Sequence, residues 1–294
     1  MTDKLLRDFP NATQGEPLSR HTSFRIGGPA DMFFLPACAD ELVDIYKKCQ
    51  KLGCPFTLIG DGTNVLVVDK GIRGAVVSTK HMNGYKLTED GQLRAFAGAR
   101  LSELSWEAYN MSFDGLEFAS GIPGTIGGAV YMNAGAFGSE ICDFVESVVA
   151  FGEEKHVFSK EEMEFGYRKS ILQDGSLIVL EVNLNLQIGV KSEIKKKMAE
   201  LNSRRKESQP LDSLSAGSTF KRPPGGFAAE LIDKAGLKGM QIGGARVSDK
   251  HAGFIVNTGN ASAKDVLDLM EAVQQKVYES SGVFLEPEVR VLGA

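Results

Sequence analysis

Residues 120–138 read SGIPGTIGGAVYMNAGAFG, with glycine at 121, 124, 127, 128, 135 and 138 and no charged side chain. So much bare backbone constrains this chain more than any other segment. The stretch is too rich in glycine for a helix and too interrupted for one clean strand. Pro123 fixes its own φ and biases Ile122 towards extended geometry. Gly121 and Gly124 permit positive φ on either side, and Gly127-Gly128 removes two more side chains. N–H groups freed from regular structure can point at a pyrophosphate, which missing Cβ atoms allow to come close. A glycine loop packed on protein backbone is the alternative. The absence of charge and the neighbouring Asn133 favour a ligand.

A second glycine element, GDGTN at 60–64, lies inside PFTLIGDGTNVLVV, which reads strand, glycine turn, strand. Its backbone N–H groups, the Thr63 hydroxyl and the Asn64 amide can form a nest for a phosphate. Taken alone it reads first as an ordinary hairpin turn. No Gly-Lys-Ser/Thr follows, which excludes a Walker A loop. The strand resumes directly at Val65 without a helix, which excludes the Rossmann fingerprint. Two non-Rossmann glycine loops in one domain suggest one large diphosphate cofactor lying across both.

Around these loops short strands alternate with helices. ELVDIYKKCQKLG puts Leu42, Ile45, Tyr46, Cys49 and Leu52 on one helical face, with Gly53 as the stop. LSELSWEAYNM is a second helix. SLIVLEVNLNLQ alternates as a strand with Ile178, Leu180, Val182, Leu184 and Leu186 on one face. After residue 190 the composition shifts. VKSEIKKKMAELNSRRKE reads as a charged amphipathic helix with Val190, Ile194, Met198 and Leu201 aligned, its lysines and arginines forming a solvated face. A polar loop, short strands and a helix opened by Ser262-x-x-Asp265 follow, and VFLEPEVRVL closes the chain as a strand. The pattern is α+β, with an N-terminal lead over 1–19, one domain over 20–190 and a second over 191–294.

The 294 residues carry a net charge of −5, which favours neither nucleic acid nor an anionic membrane as partner. No apolar run approaches the ~18 residues of a membrane span. The N-terminus lacks the apolar core of a signal peptide. Cys38, Cys49, Cys54 and Cys142 have no ligand spacing, so no metal is expected. These features point to a cytoplasmic protein.

GDGTNVLV, SGIPGTIGGAVYMNAGAFG, GYRKS, AGSTFKRP and LEPEVRVLG occur in this order. Together, from about Arg20 to Gly293, they resemble the UDP-N-acetylenolpyruvoylglucosamine reductases, flavoenzymes of peptidoglycan precursor synthesis. The resemblance implies a vanillyl-alcohol-oxidase-type (PCMH-type) FAD-binding domain of two α/β subdomains plus a C-terminal α+β substrate-binding domain. It explains a dinucleotide cofactor without a Rossmann fingerprint. The short spacing from Arg168 to Ser218 matches the subgroup that lacks an extra substrate-covering insertion. FAD is expected to be non-covalent, with NADPH as reductant, and the protein a monomer. His21 as a covalent flavin attachment point is disfavoured, because the resemblance is to non-covalent members.

The implied cofactor contacts are Gly60, Asp61, Gly62, Thr63, Asn64 and Val65 in the first loop. In the second they are Ser120, Gly121, Ile122, Pro123, Gly124, Thr125, Gly127, Gly128, Asn133, Gly135 and Ala136. The stretch from Gly121 to Thr125 is favoured over the AGAFG end for the phosphates. The family's reaction adds hydride to an enolpyruvyl ether, so charge develops on the substrate carboxylate and a carbon must be protonated. Arg168 offers a planar cationic fork for that carboxylate. By resemblance Ser218 is the proton donor, with Lys221 and Arg222 nearby in sequence. In FLEPEVRV, Glu286, Glu288 and Arg290 share one face, so periodicity does not choose between the glutamates. The family pattern selects Glu288, a carboxyl that burial would keep protonated. Lys238 is an implied diphosphate contact. Arg222, His251 and Tyr167 are further substrate-binding candidates.

Overall fold

The computed structural model describes residues 2–293. Among the described residues seven α-helices form: α1 (Thr2–Asp8), α2 (Ala39–Leu52), α3 (Leu101–Asn110), α4 (Ile126–Met132), α5 (Lys191–Ser208), α6 (Ala228–Lys234) and α7 (Ala263–Ser281). The first strands are β1 (Thr13–Pro17), β2 (Pro29–Phe34), β3 (Phe56–Ile59), β4 (Val65–Val67), β5 (Ile72–Ser78), β6 (Tyr85–Leu87) and β7 (Gln92–Phe96). Then come β8 (Phe113–Asp114), β9 (Gly135–Ala136), β10 (Ser139–Glu140), β11 (Val145–Phe151), β12 (Lys155–Ser159), β13 (Ile178–Asn185) and β14 (Gln187–Ile188). The last are β15 (Gln241–Ile242), β16 (Ala245–Val247), β17 (Ile255–Asn257) and β18 (Arg290–Leu292). The mixed content agrees with the α+β class.

Two compact units share the chain. The first takes residues 1–12, 34–61 and 76–205; the second takes 13–33, 62–75 and 206–294. The units interleave, and the chain passes from one to the other inside β2, inside β5 and within α5. The GDGTN loop is itself divided, with Gly60 and Asp61 in the first unit and Gly62 onward in the second.

The first unit is built on a five-stranded antiparallel sheet, β12-β11-β13-β7-β6. The alternation of β13 buries Ile178, Leu180, Val182 and Leu184, as the sequence predicts. Val179 and Glu181 are buried too, so both faces of this strand are covered. Leu93, Leu101, Leu104, Phe118, Ile126, Val130, Val148 and Val182 belong to one core. Each such side chain contributes roughly 1.5–3 kcal/mol when removed from water.

The second unit packs the three-stranded sheet β15-β16-β17 against α7, whose buried stripe is Val266, Leu269, Met270, Val273 and Val277. The capping box expected at Ser262 and Asp265 is formed. β18 lies parallel to β4.

Four expectations are corrected. The glycine stretch does contain a helix, α4. Thr125 caps it by accepting the Gly128 N–H at 3.3 Å, and Asn133 ends it in the left-handed region at φ 41°. Burial of Ile126, Ala129 and Val130 outweighs the poor glycine propensity. GDGTN is not a hairpin turn, because β4 pairs with β18 and β3 belongs to another sheet. The charged helix is not solvated throughout: Arg205 is buried, whereas Val190 lies outside α5 and is 58% exposed. The final strand is shorter than the alternation suggests: β18 begins only at Arg290, and Pro287 makes an isolated bridge with Phe220 instead.

Gly127 and Gly128 separate packing from propensity. A Cβ on Gly127 would lie 2.8 Å from the Ala97 carbonyl oxygen, whereas one on Gly128 would meet only Thr125 Oγ1 at 3.6 Å. Helix propensity alone makes either Gly→Ala change stabilising by about 0.8–1 kcal/mol. Gly127→Ala is expected instead to destabilise by about 1–3 kcal/mol through overpacking. Gly128→Ala is expected to stabilise the flavin-free protein. Urea denaturation reads both signs, and a stabilising Gly127→Ala contradicts the packing account.

Candidate active site

In the first unit the two glycine loops meet. A Cβ on Gly60 would sit 2.5 Å from Thr125 Oγ1, so only glycine fits at this approach. Arg100 joins both loops. It bridges Thr125 through backbone and reaches the Asp61 carboxylate at 3.5 Å, while the next N–H, of Leu101, donates to the Gly124 carbonyl at 3.0 Å. Ser120 donates to the Glu117 carbonyl at 2.9 Å and approaches Asn202 Oδ1 at 3.3 Å. The Ile122 N–H donates to the Ala119 carbonyl, and Gly124 adopts φ 115°. Pro123 is exposed.

These residues fit the expected FAD. From Gly121 to Thr125 the backbone is uncharged. Gly128 is exposed at the first turn of α4 and leaves open the space that a side chain would fill. Gly127 has a different role: its N–H donates to the Ala97 carbonyl at 2.9 Å, which accounts for the missing side chain by protein packing.

The far end of the stretch carries Arg168. Asn133 is fully buried; its Nδ2 donates to Glu140 Oε2 at 2.9 Å and to the Gly166 carbonyl at 3.0 Å. Its Oδ1 accepts the Cys142 N–H at 3.2 Å. Gly135 and Ala136 pair with Glu140 and Ser139 in the β9–β10 hairpin. Arg168 adopts φ 55°, a left-handed conformation that a non-glycine residue rarely takes. Its guanidinium donates to the Asn133 and Gly135 carbonyls at 3.4 and 3.3 Å and lies 4.9 Å from the Tyr167 ring. Two motifs thus join through Asn133. That asparagine is structural in its contacts, and Tyr167 is 44% exposed.

The second unit holds the remaining candidates. Gly62 at φ 66° packs on the His21 carbonyl, which a Cβ would approach to 2.0 Å. Asn64 Nδ2 donates to the Glu288 carbonyl at 3.2 Å, and the Asn64 carbonyl accepts the Arg290 N–H at 3.0 Å. Val65 sits opposite Arg290 in the parallel pair, and Thr63 precedes Asn64 in the same turn. Ser218 forms a backbone bridge with Phe254, and Phe220 forms one with Pro287. Between them the Thr219 carbonyl accepts the Glu288 N–H at 2.8 Å. Ser218 and Glu288 therefore lie on adjoining backbone segments, and both are half-buried.

The structure separates the two glutamates that periodicity left equivalent. Glu286 is an exposed partner of Lys221, at 2.5 Å, which commits that lysine to an ion pair. Arg222 is exposed over the Phe227 ring at 4.7 Å. Lys238 pairs with Asp233 at 2.7 Å. His251 Nδ1 accepts the Gly253 N–H at 3.1 Å, which leaves the neutral ring's proton on Nε2. Burial above all holds the His251 pKa below its ordinary value; a backbone hydrogen bond opposes it, and the charge of Lys238 adds a smaller push downward.

Arg100, Asn202 and Arg205 are contacts of the glycine loops that sequence reasoning missed. A signal existed for Arg205: it continues the stripe of Ile194, Met198 and Leu201 by one further turn. Among the described residues no helix is long and apolar enough to cross a membrane.

Residues 209–292 match the family model described as "UDP-N-acetylenolpyruvoylglucosamine reductase, C-terminal domain", and residues 30–152 match "FAD binding domain". The UDP-N-acetylenolpyruvoylglucosamine reductase of Caldanaerobacter subterraneus subsp. tengcongensis is 52% identical over 95% of this chain and 92% of its own length. That of Clostridioides difficile is 48% identical over 95% and 92%. The crystal structure of UDP-N-acetylenolpyruvylglucosamine reductase from Thermus caldophilus superposes with a TM-score of 0.82 at 39% identity, covering 95% of this chain and 98% of that one. The vanillyl-alcohol-oxidase-type FAD domain and the C-terminal α+β domain are borne out.

His251 is expected to titrate below about 6.5 by NMR, the ordinary histidine value. The depressed folded pKa means that the unfolded chain binds the proton first. Stability from this residue is therefore present above about 6.5 and lost as pH falls through the folded value. Lys238→Met moves the titration upward; an unchanged value contradicts the coupling.

Proposed function

This chain belongs to the UDP-N-acetylenolpyruvoylglucosamine reductase family and is a FAD-dependent oxidoreductase, and from that premise we propose that it reduces UDP-N-acetylglucosamine enolpyruvate to UDP-N-acetylmuramate with electrons from NADPH. The reaction belongs to peptidoglycan precursor synthesis in the cytoplasm. The enzyme acts as a monomer with non-covalent FAD. The single observation that carries this reading is the 52% identity over 95% of the chain.

Residues 20–190 are assigned to the flavin and 191–294 to the nucleotide-sugar, except that Asn202 and Arg205 of α5 reach the glycine loop of the flavin part. Residues 60–65, 120–125 and Gly128 hold the dinucleotide, the bare backbone of Gly121 to Thr125 lying along its diphosphate. When bound, FAD supplies the two-electron reductant that delivers hydride to the substrate's terminal vinyl carbon.

The chain's own residues then handle charge and a proton. Arg168 is assigned to the substrate carboxylate, where negative charge grows as the vinyl bond accepts hydride. Its anchorage on the Asn133 and Gly135 carbonyls supports that role, because a guanidinium held on two acceptors needs little reorganisation as charge develops. Ser218 donates its hydroxyl proton to the carbon next to the carboxylate, which completes the saturated lactyl ether. Glu288 donates a hydrogen bond to the enol-like intermediate. The backbone link between Thr219 and Glu288 supports a joint role, since it holds both segments in one register. Lys238 is assigned to the diphosphate of the nucleotide-sugar substrate, with Arg222, His251 and Tyr167 as lesser contacts.

Ser218→Ala tests the assignment under anaerobic conditions. Reduction of the flavin by NADPH should stay within about threefold of wild type, while reoxidation by the enolpyruvyl substrate slows by about 10²–10⁴-fold. Stopped-flow absorbance of the flavin reads both steps. Equal loss in the two steps contradicts the acid role, and a wild-type flavin that the substrate does not reoxidise contradicts the function.

A further inference from the structure

α5 brings to the glycine loop a charge that the mechanism above does not use. Arg205 is 8% exposed, and Nη1 donates to the Gly121 carbonyl at 2.8 Å. Among the described residues no carboxylate lies within ion-pair distance of it, and its other donors make no hydrogen bond. A guanidinium stays protonated throughout the physiological range, so this is a buried positive charge without a counter-charge. Burial also pushes its pKa down from the ordinary value, the direction expected for a cation short of compensation.

What surrounds Arg205 compensates only in part. The Phe137 ring lies 5.7 Å from its guanidinium and 5.1 Å from that of Arg204. Phe137 itself sits at φ 56° at the tip of the β9–β10 hairpin, a conformation that disfavours a side chain of its size. The packing is tight as well: a Cβ on Gly121 would lie 2.7 Å from Asn202 Oδ1 and 3.1 Å from Arg205 Cδ. The loop that Arg205 holds carries no charge of its own from Ser120 to Thr125. A diphosphate laid on that loop brings negative charge to a buried cation that lacks a partner of that sign.

We propose that Arg205 is the counter-charge of the cofactor's diphosphate, a positioning residue that sets the Gly121 backbone from behind and supplies the positive field the bare loop lacks. This rests on the FAD assignment made above. It distinguishes Arg205 from a residue that merely buttresses the loop, because a buttress serves every flavin equally.

The test uses the full chain stripped of flavin and two ligands: FAD, and riboflavin, which lacks the diphosphate. Quenching of flavin fluorescence reads both affinities in wild type, Arg205→Gln and Arg205→Lys. Arg205→Gln should weaken FAD by tenfold or more, on the order of one lost charge-assisted contact, and riboflavin by less than about threefold. Arg205→Lys keeps the charge but loses the planar fork, so its FAD affinity should stay within about threefold of wild type. Equal loss of FAD and riboflavin overturns the proposal, as does an unchanged FAD affinity in Arg205→Gln. If Arg205→Gln does not fold, Arg205→Lys decides: a tenfold loss there shows that the Gly121 hydrogen bond, not the charge, matters. Wild type that binds neither flavin overturns the FAD assignment itself. Wild type that binds FAD while Arg205→Gln binds it equally well overturns only the role of Arg205.

Discussion

No methyl group fits between Gly60 and Thr125, and much of the candidate site depends on that approach. Because the loops touch there, the Thr125 hydroxyl is placed to cap α4, and Arg100 can bridge Thr125 while reaching Asp61. The cap starts a short helix in a sequence that helix propensity alone would leave irregular. The helix in turn ends at Asn133, whose left-handed backbone and buried amide set the turn that carries Arg168. One steric constraint therefore leads through a cap, a helix and an asparagine to the guanidinium assigned to the substrate carboxylate.

The glycines of this stretch have separate jobs. Gly127 lets α4 sit against the Ala97 backbone, whereas Gly128 leaves a face open. Gly62 meets the His21 carbonyl in the second unit. Tight packing on protein holds at Gly62 and Gly127, while Gly128 leaves the open space that approach by a ligand would need. In the second unit backbone hydrogen bonds do comparable work. Thr219 and Asn64 hold the Glu288 segment from two sides, while Lys221 takes Glu286 into an exposed ion pair. That division gives a physical reason for the glutamate that the family pattern selects.

Elements with strong period were legible from sequence: α2 with its Gly53 stop, β13, and α7 with its capping box. The glycine motifs marked the loops but not their fold. A buried apolar trio and one capping threonine overrode composition at α4, and the core that buries the trio comes from segments outside the glycine stretch. Strand pairing was equally hidden, because β4 pairs with a strand at the other end of the chain. Arg205 was hidden by its neighbours, since a run of lysines and arginines reads as a solvated face unless the helical phase is followed into it. The catalytic assignments came from the resemblance to a family. Arg168, Ser218 and Glu288 carry no spacing that chemistry alone would single out.

The central claim is that bare backbone from Gly121 to Thr125 receives the cofactor's diphosphate. A crystal structure of the flavin-loaded protein measures it directly. Phosphate oxygens should lie about 2.7–3.2 Å from N–H groups of this segment, within hydrogen-bond distance. A diphosphate lying instead on the β9–β10 hairpin, with Gly121 to Thr125 touching only protein, would contradict the account.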